Sequence, residues 1–389
     1  NKVFRSDDQG NSWKVISEDL TSGIDRNKLP MMDKLWSMDA IAKNQSTSIY
    51  GNITALAESP LNEKLLYAGT DDGLIQVTVD GGTTWTKVSK FTGVPDLTPG
   101  VYVANIIASR HDENVAYVVF NNHRNADFKP YIVKTTDKGK TWSQLVTGDL
   151  PERGSTWCLA EDPKNKDLLF TGTEFGMYFT NNGGKNWMKL GSGLPTICVK
   201  DIAIQEREND IVIATFGRGF YVLDDYSLLQ NIKQTDLDEK AHVFPIKDGL
   251  VFIPSTPYGG KGKSFQGESF FTTENPPIGA TITYYLKDDY KTLKEIRQEN
   301  EKERIKKNLP VYYPSKDSLR LEDKEEAPYI MAVITDDNGN VIKKIKRSAK
   351  KGMVRFSWNG RLEKTSPISF HTPDPDNPSC SVPLASAAK

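Results

Sequence analysis

The chain has 389 residues, Lys+Arg 50 against Asp+Glu 51, a formal net charge of -1 and 37% hydrophobic residues. That balance excludes the broad basic footprint of a general nucleic-acid binder, while the apolar content is enough to bury a core. Three cysteines and four scattered histidines (His111, His123, His242 and His371) form neither a disulfide framework nor a zinc motif, and no apolar run approaches the ~18 residues of a membrane-spanning helix. Neither a metal nor a cofactor is therefore expected.

From the N-terminus, one pattern returns four times: Ser/Thr-x-Asp-x-Gly-x-x-Trp. It runs Ser6 to Trp13 around Asp8, Thr78 to Trp85 around Asp80, Thr135 to Trp142 around Asp137, and Thr180 to Trp187 with Asn182 in the acid's place. Each residue type has a task. The carboxylate or amide accepts N–H bonds from its own turn, the glycine takes a left-handed backbone, and the indole clamps the turn to a sheet. These positions are expected to be scaffold. A second pattern precedes the boxes: Ala57–Thr70 aligns with Ala160–Thr173, and looser copies lie at Ala108–Phe120 and Ala203–Phe216. Each copy reads as strand, polar turn, strand, so adding the strands that flank a box gives four strands per unit.

Trp13, Trp85, Trp142 and Trp187 lie 72, 57 and 45 residues apart. The shortest interval suits one four-stranded blade and the longer ones leave room for loops. The expected fold is all-β: about four and a half propeller blades over residues 1–229, beginning with half a blade. Because closed propellers have roughly four to eight blades, these are expected to belong to a larger ring, completed by further blades of the same protein or by another chain. Residues 230–266 read as a connector, in which Gly259–Lys263 is read as a loop. A small β-sandwich follows over 267–370, with a Lys/Glu/Arg-rich helix inserted at 290–308 and a hairpin turn at Asp336–Asn340. The stretch 371–389 reads as a poorly ordered tail.

The boxes resemble the Asp-box, or bacterial neuraminidase repeat, of sialidases, xyloglucan-degrading propellers and the sortilin luminal domain. Gly172–Gly176, Phe216–Asp225 and Asn275–Ala280 resemble the sortilin-like bacterial proteins labelled glycosyl hydrolases and common in Bacteroidetes. Val354–Gly360 resembles the closing strand of immunoglobulin-like modules. The resemblance covers most of residues 1–370. It implies export to the periplasm, the outer membrane or the cell exterior. It says little about chemistry, since function sits on loops grafted to a fold.

Chain direction alternates within a blade, which gathers the boxes on one face and the second-to-third turns and blade-to-blade loops on the other. That opposite face is the expected ligand face. It carries Trp36, His123, Arg124, Trp157 and Arg218 as candidate ligand contacts for a glycan, peptide or protein partner. The alternative is glycoside hydrolysis, which needs two carboxyl groups flanking the bond. Glu174 with Asp71 or Asp72 is the candidate pair, against the plainer reading that these acids cap turns or pair with Arg218. Sialidase activity is not expected, because three suitable arginines cannot be assembled. Cys158 and Cys198, on neighbouring blades, are open to a disulfide or to two buried thiols.

Overall fold

In a computed structural model of the chain, the described residues are 1–43, 50–88, 91, 100–145, 147–191, 193–253 and 275–362. Residues 254–266 of the expected connector with the Gly259–Lys263 loop, residues 267–274, and the tail 371–389 lie outside them. The chain divides into two units, Asn1–Asn231 and Ile232–Lys389.

The first unit opens with a ribbon of β1 (Phe4–Arg5) and β2 (Lys14–Val15). Three four-stranded sheets follow. The first is β3 (Ile53–Ser59), β4 (Asn62–Thr70), β5 (Ile75–Thr78) and β6 (Thr86–Val88). The second is β7 (Tyr102–Ala108), β8 (Ala116–Asn121), β9 (Tyr131–Thr135) and β10 (Ser143–Gln144). The third is β11 (Thr156–Glu161), β12 (Leu169–Thr173), β13 (Gly176–Thr180) and β14 (Met188–Lys189). A three-stranded sheet of β15 (Val199–Gln205), β16 (Asp210–Thr215) and β17 (Phe220–Leu223) leads into the short helix α1 (Ser227–Asn231). Every sheet is an antiparallel meander in chain order.

The first strands of neighbouring sheets, β3, β7, β11 and β15, lie side by side. They line a groove of about 450 Å³ that includes Ala57, Ile107, Ala160 and Ala203. The small residues at three of these four matching positions let the strands converge. This is the inner wall of a β-propeller, with the sheets as its blades. Both faces of a blade are covered by neighbours, so its middle strands read as near-continuous apolar runs such as Leu65–Ala68 and Tyr117–Phe120, all buried.

The boxes repeat one hydrogen-bond circuit. In the second, Thr78 Oγ1 donates to Asp80 Oδ1 (2.8 Å) and accepts from Gly82 N (2.9 Å). Thr84 N and Oγ1 donate to the two oxygens of Asp80 (2.9 and 2.6 Å). These bonds, led by the Thr84 hydroxyl, hold the Asp80 carboxyl at about 2. Asp8 and Asp137 make the same bonds with Ser12 and Thr141. The fourth box closes through amides: Asn186 N donates to Asn182 Oδ1 (3.1 Å), and Asn182 Nδ2 to Asn186 Oδ1 (3.3 Å). The glycine that follows sits at φ +98° in Gly82 and +85° in Gly139, a region that disfavours any Cβ.

Three of the four box tryptophans rest on the blade before them. Trp85 Nε1 donates to Ile16 O of the ribbon (2.9 Å). Trp142 meets Tyr67 of the previous blade edge to face at 6.4 Å, and Trp187 packs with Tyr117. The last blade has no box. Tyr226, just before α1, takes the tryptophan's place, meeting Phe170 edge to face at 5.4 Å and donating its hydroxyl to Asp162 Oδ2. Trp13 stands apart with 63% of its surface exposed, beside exposed Phe4 and Val15. At the other end of the blade series, Phe220 and Val222 of β17 are exposed as well.

The second unit holds a sheet in the order β18 (Ala241–Val243), β19 (Ala280–Leu286), β22 (Gly352–Trp358), and a hairpin of β20 (Tyr329–Thr335) and β21 (Val341–Ser348). Tyr284, Leu286 and Phe356 of the sheet pack against Ile330, Ala332 and Ile345 of the hairpin. Asp336 Oδ1 closes the hairpin turn by accepting from Asn338 N and Asn340 N (3.0 and 2.7 Å). Between β19 and β20 come two helices. The first, α2 (Leu293–Lys306), is capped by Thr292 with Glu295 at its third position; α3 (Lys316–Lys324) starts at Ser315. Arg297 ties them through two parallel bonds to Glu322 (2.7 and 2.9 Å).

Candidate functional site

The face opposite the boxes is built on a device that recurs in every blade. The first strand of each is bulged near its start. The pairing skips Thr54 in β3, Ala104 in β7, Trp157 in β11 and Lys200 in β15. A bulge leaves one residue unpaired and re-aims its side chain. These four equivalent positions sit at the start of the innermost strands, at the end away from the groove lined by Ala57, Ala160 and Ala203. Thr54 Oγ1 reaches across to Val103 O of the next blade (2.8 Å), and the Lys200 ammonium lies 2.9 Å from the centroid of the Trp157 indole.

Trp157 is the hub. Its Nε1 donates to Glu174 Oε1 (2.7 Å), and its ring lies 5.5 Å from that of His123. Glu174 stands in the turn between β12 and β13, pinned by its own N–H to Ser155 O (3.1 Å). The pKa of the Cys198 thiol is raised to about 11, first by burial and then by the Glu174 charge, with Lys200 opposing. Cys158 is fully buried, which pushes its thiol up too; both cysteines are free thiols. Burial holds the His123 imidazole below its usual value, with Arg124 and Lys200 adding to that effect and Glu174 opposing it.

His123 and Arg124 belong to a 3-10 turn, His123–Asn125, after β8. Asn121 fixes it, accepting from His123 through N and Nδ1 and donating Nδ2 to Thr156 O of the next blade. The Arg124 guanidinium stacks 4.9 Å from the Tyr102 ring, and that of Arg153 lies 5.3 Å from the Phe128 ring.

Asp71 and Asp72 end β4 and are buried. Asp71 accepts from Gly51 N, Asn52 N and Asn52 Nδ2 (3.0, 2.7 and 3.3 Å). Asp72 accepts from Ser22 N, Ser22 Oγ and the Thr70 hydroxyl. Both acids tie the 18–51 insertion to the blade. Burial raises the Tyr50 phenol, and the charges of Asp72 and Asp71 raise it further while Arg124 opposes them.

The fold thus brings His123, Trp157 and Glu174 together, with Arg124 next to His123 in its turn, while Asp71 and Asp72 are engaged with the 18–51 insertion. Arg218 projects, exposed, from the β16–β17 turn next to Phe216. Trp36 is turned to its own loop, its Nε1 donating to Met31 O (3.0 Å). Lys200, Tyr102 and Phe216 complete the rim without a motif of their own. The signal for Lys200 is the repeat itself: aligning the blades by their second strands puts Thr54, Ala104, Trp157 and Lys200 in register. Among the described residues no group of three or more His, Cys, Asp or Glu side chains is placed to hold a metal, and no helix is long and apolar enough to cross a membrane.

Meandering sheets whose first strands lie side by side along one groove define a β-propeller. No known family's profile matches the chain. A xyloglucanase of Hypocrea jecorina (strain QM6a) is 26% identical over 155 residues, which is 36% of this chain and 18% of that enzyme. The chain therefore spans less than a fifth of the length of the curated relative it matches. Among solved structures, a Niastella koreensis GH74 enzyme is 17% identical, covering 46% of this chain and 29% of its own, with a TM-score of 0.36. YCF48 from Cyanidioschyzon merolae is 21% identical, covering 44% and 52%, with a TM-score of 0.33.

Proposed function

We propose that this chain is the glycan-binding part of an exported propeller, and that the ligand seats on the rim around Trp157. The observation that carries the reading is the bulge at Trp157 and Lys200. It re-aims an indole and an ammonium onto each other at the start of the innermost strands, beside His123 and Glu174. Aromatic surface with a few placed polar groups is the usual make-up of a small-ligand site. The partial likeness to a xyloglucanase supports a saccharide over other ligands.

Binding is favoured over hydrolysis because the candidate carboxylates already have work. Asp71 and Asp72 accept backbone and hydroxyl bonds that anchor a loop, and Glu174 accepts the Trp157 indole. A general acid or nucleophile must instead be free to face the scissile bond. The export and the sortilin-like affiliation rest on the sequence resemblance. The exposed Trp13 and the exposed face of β17 are read as seats for further blades, of this polypeptide or of another chain.

The test is a panel of plant and bacterial oligosaccharides, scored for both binding and cleavage. Wild type is expected to bind at least one without cleaving it, and Trp157→Ala to weaken that binding by about tenfold or more, as loss of a ring contact does. Cleavage abolished by Glu174→Gln would establish the hydrolase instead; binding untouched by Trp157→Ala would remove the rim.

A further inference from the structure

We infer that the glycan taken by the rim is acidic, carrying uronic-acid carboxylates; this rests on the glycan reading above and names its substrate class. The carboxylates of the rim are largely consumed from within. Asp71, Asp72 and Glu174 are engaged as described, and Asp127 accepts from Asn122 Nδ2 and the Tyr131 hydroxyl (2.9 and 2.7 Å). The cations are held differently. Arg124 stacks on Tyr102, Arg153 on Phe128, and Lys200 lies between Trp157 and Phe216. Arg124 and Arg153 are both exposed and have no carboxylate partner among the described residues.

Three cation–ring pairs on one face amount to a pattern. A guanidinium laid over a ring keeps its in-plane N–H donors free while the ring fixes its orientation and lowers the cost of ordering it. Those edges match a carboxylate, which two parallel N–H bonds hold in one plane. A neutral sugar offers hydroxyls, which a carboxylate or amide would receive equally well, and it needs no such array. Exposed acids adjoin two of the cations in the chain, Glu152 beside Arg153 and Asp201 beside Lys200, while Arg124 and exposed Arg218 have none next to them.

The experiment titrates the full chain with an oligogalacturonide and, separately, with a neutral xyloglucan oligosaccharide of similar length, by calorimetry. The same titrations follow on the Arg124→Gln/Arg153→Gln double variant, checked for an unchanged melting curve. Wild type is expected to bind the acidic sugar about tenfold or more tightly than the neutral one, and the double variant to lose about 10–100-fold. Raising salt from about 50 to about 500 mM should weaken the acidic complex. Equal or tighter binding of the neutral sugar, or indifference of the acidic complex to both arginines and to salt, overturns the acidic reading and leaves the glycan site standing. If wild type binds neither sugar, both readings fall together. Should the double variant unfold, the preference of wild type for the acidic sugar and its salt dependence decide the matter alone.

Discussion

Replacing Trp142 with Ala is expected to cost about 3–5 kcal/mol of unfolding free energy, while Trp13→Ala costs less than about 0.5 kcal/mol. The two residues occupy the same position of the same turn, so the aspartate circuit of the box and strand propensity cancel in the comparison. What differs is the blade beneath. Trp142 is 2% exposed and packed on Tyr67 of the preceding blade, and its Nε1 donates to Gly139 O (3.0 Å). Truncation there leaves a cavity between two blades that the backbone cannot close. Trp13 covers no blade among the described residues, so little is lost with it. Urea unfolding of both variants checks the contrast. Similar costs for the two would mean that the indole supports its own turn rather than the stacking of blades.

Gly69→Ala is expected to lose about 1–3 kcal/mol in the same assay, although it adds only one methyl to a β-strand. A Cβ at Gly69 would lie 2.3 Å from Val103 Cγ1 and 2.9 Å from Ile106 Cδ1, both side chains of the next blade's first strand. Val103 is fully buried and has no room to retreat. The equivalent position in the second four-stranded sheet is Val119, paired with Asn105 as Gly69 is paired with Ala55, so strand geometry does not demand glycine there. Blade spacing does. Gly148→Ala, with nothing within 4 Å of the added carbon, is the control and should stay within about 0.5 kcal/mol.

The propeller was legible because its signals are periodic. Four boxes at one strand junction, and the Ala57–Thr70 pattern repeated at Ala160–Thr173, report a constant local geometry whatever surrounds them. The boundaries of that signal are equally physical. Tyr226 replaces a tryptophan after a turn with no box, so its role emerges only when its ring is seen on Phe170. The joining of α2 to α3 runs through the Arg297–Glu322 bonds across 25 residues, which no helical periodicity reveals.

The rim was legible in part. Alternating chain direction placed His123, Arg124, Trp157 and Glu174 on one face, and His123, Trp157 and Glu174 do meet, with Arg124 next to His123. Whether an acid is a cap or a catalyst depends on donors far away in the chain. Asp72 is satisfied by Ser22, 50 residues earlier, and Asp71 by Gly51, 20 residues earlier. Lys200 sits in a sequence without a motif and gains meaning only from the bulge that turns it onto Trp157.

Hydrogen–deuterium exchange of the chain with and without a bound oligosaccharide tests the placement of the ligand most directly. Protection confined to residues 121–130, 153–157, 174–176 and 198–200 is the expected footprint, with the box turns at 80–84, 137–141 and 182–186 unchanged. Protection of the box turns, with the rim left exchanging freely, would put the ligand on the wrong face and contradict the reading of the propeller's working side.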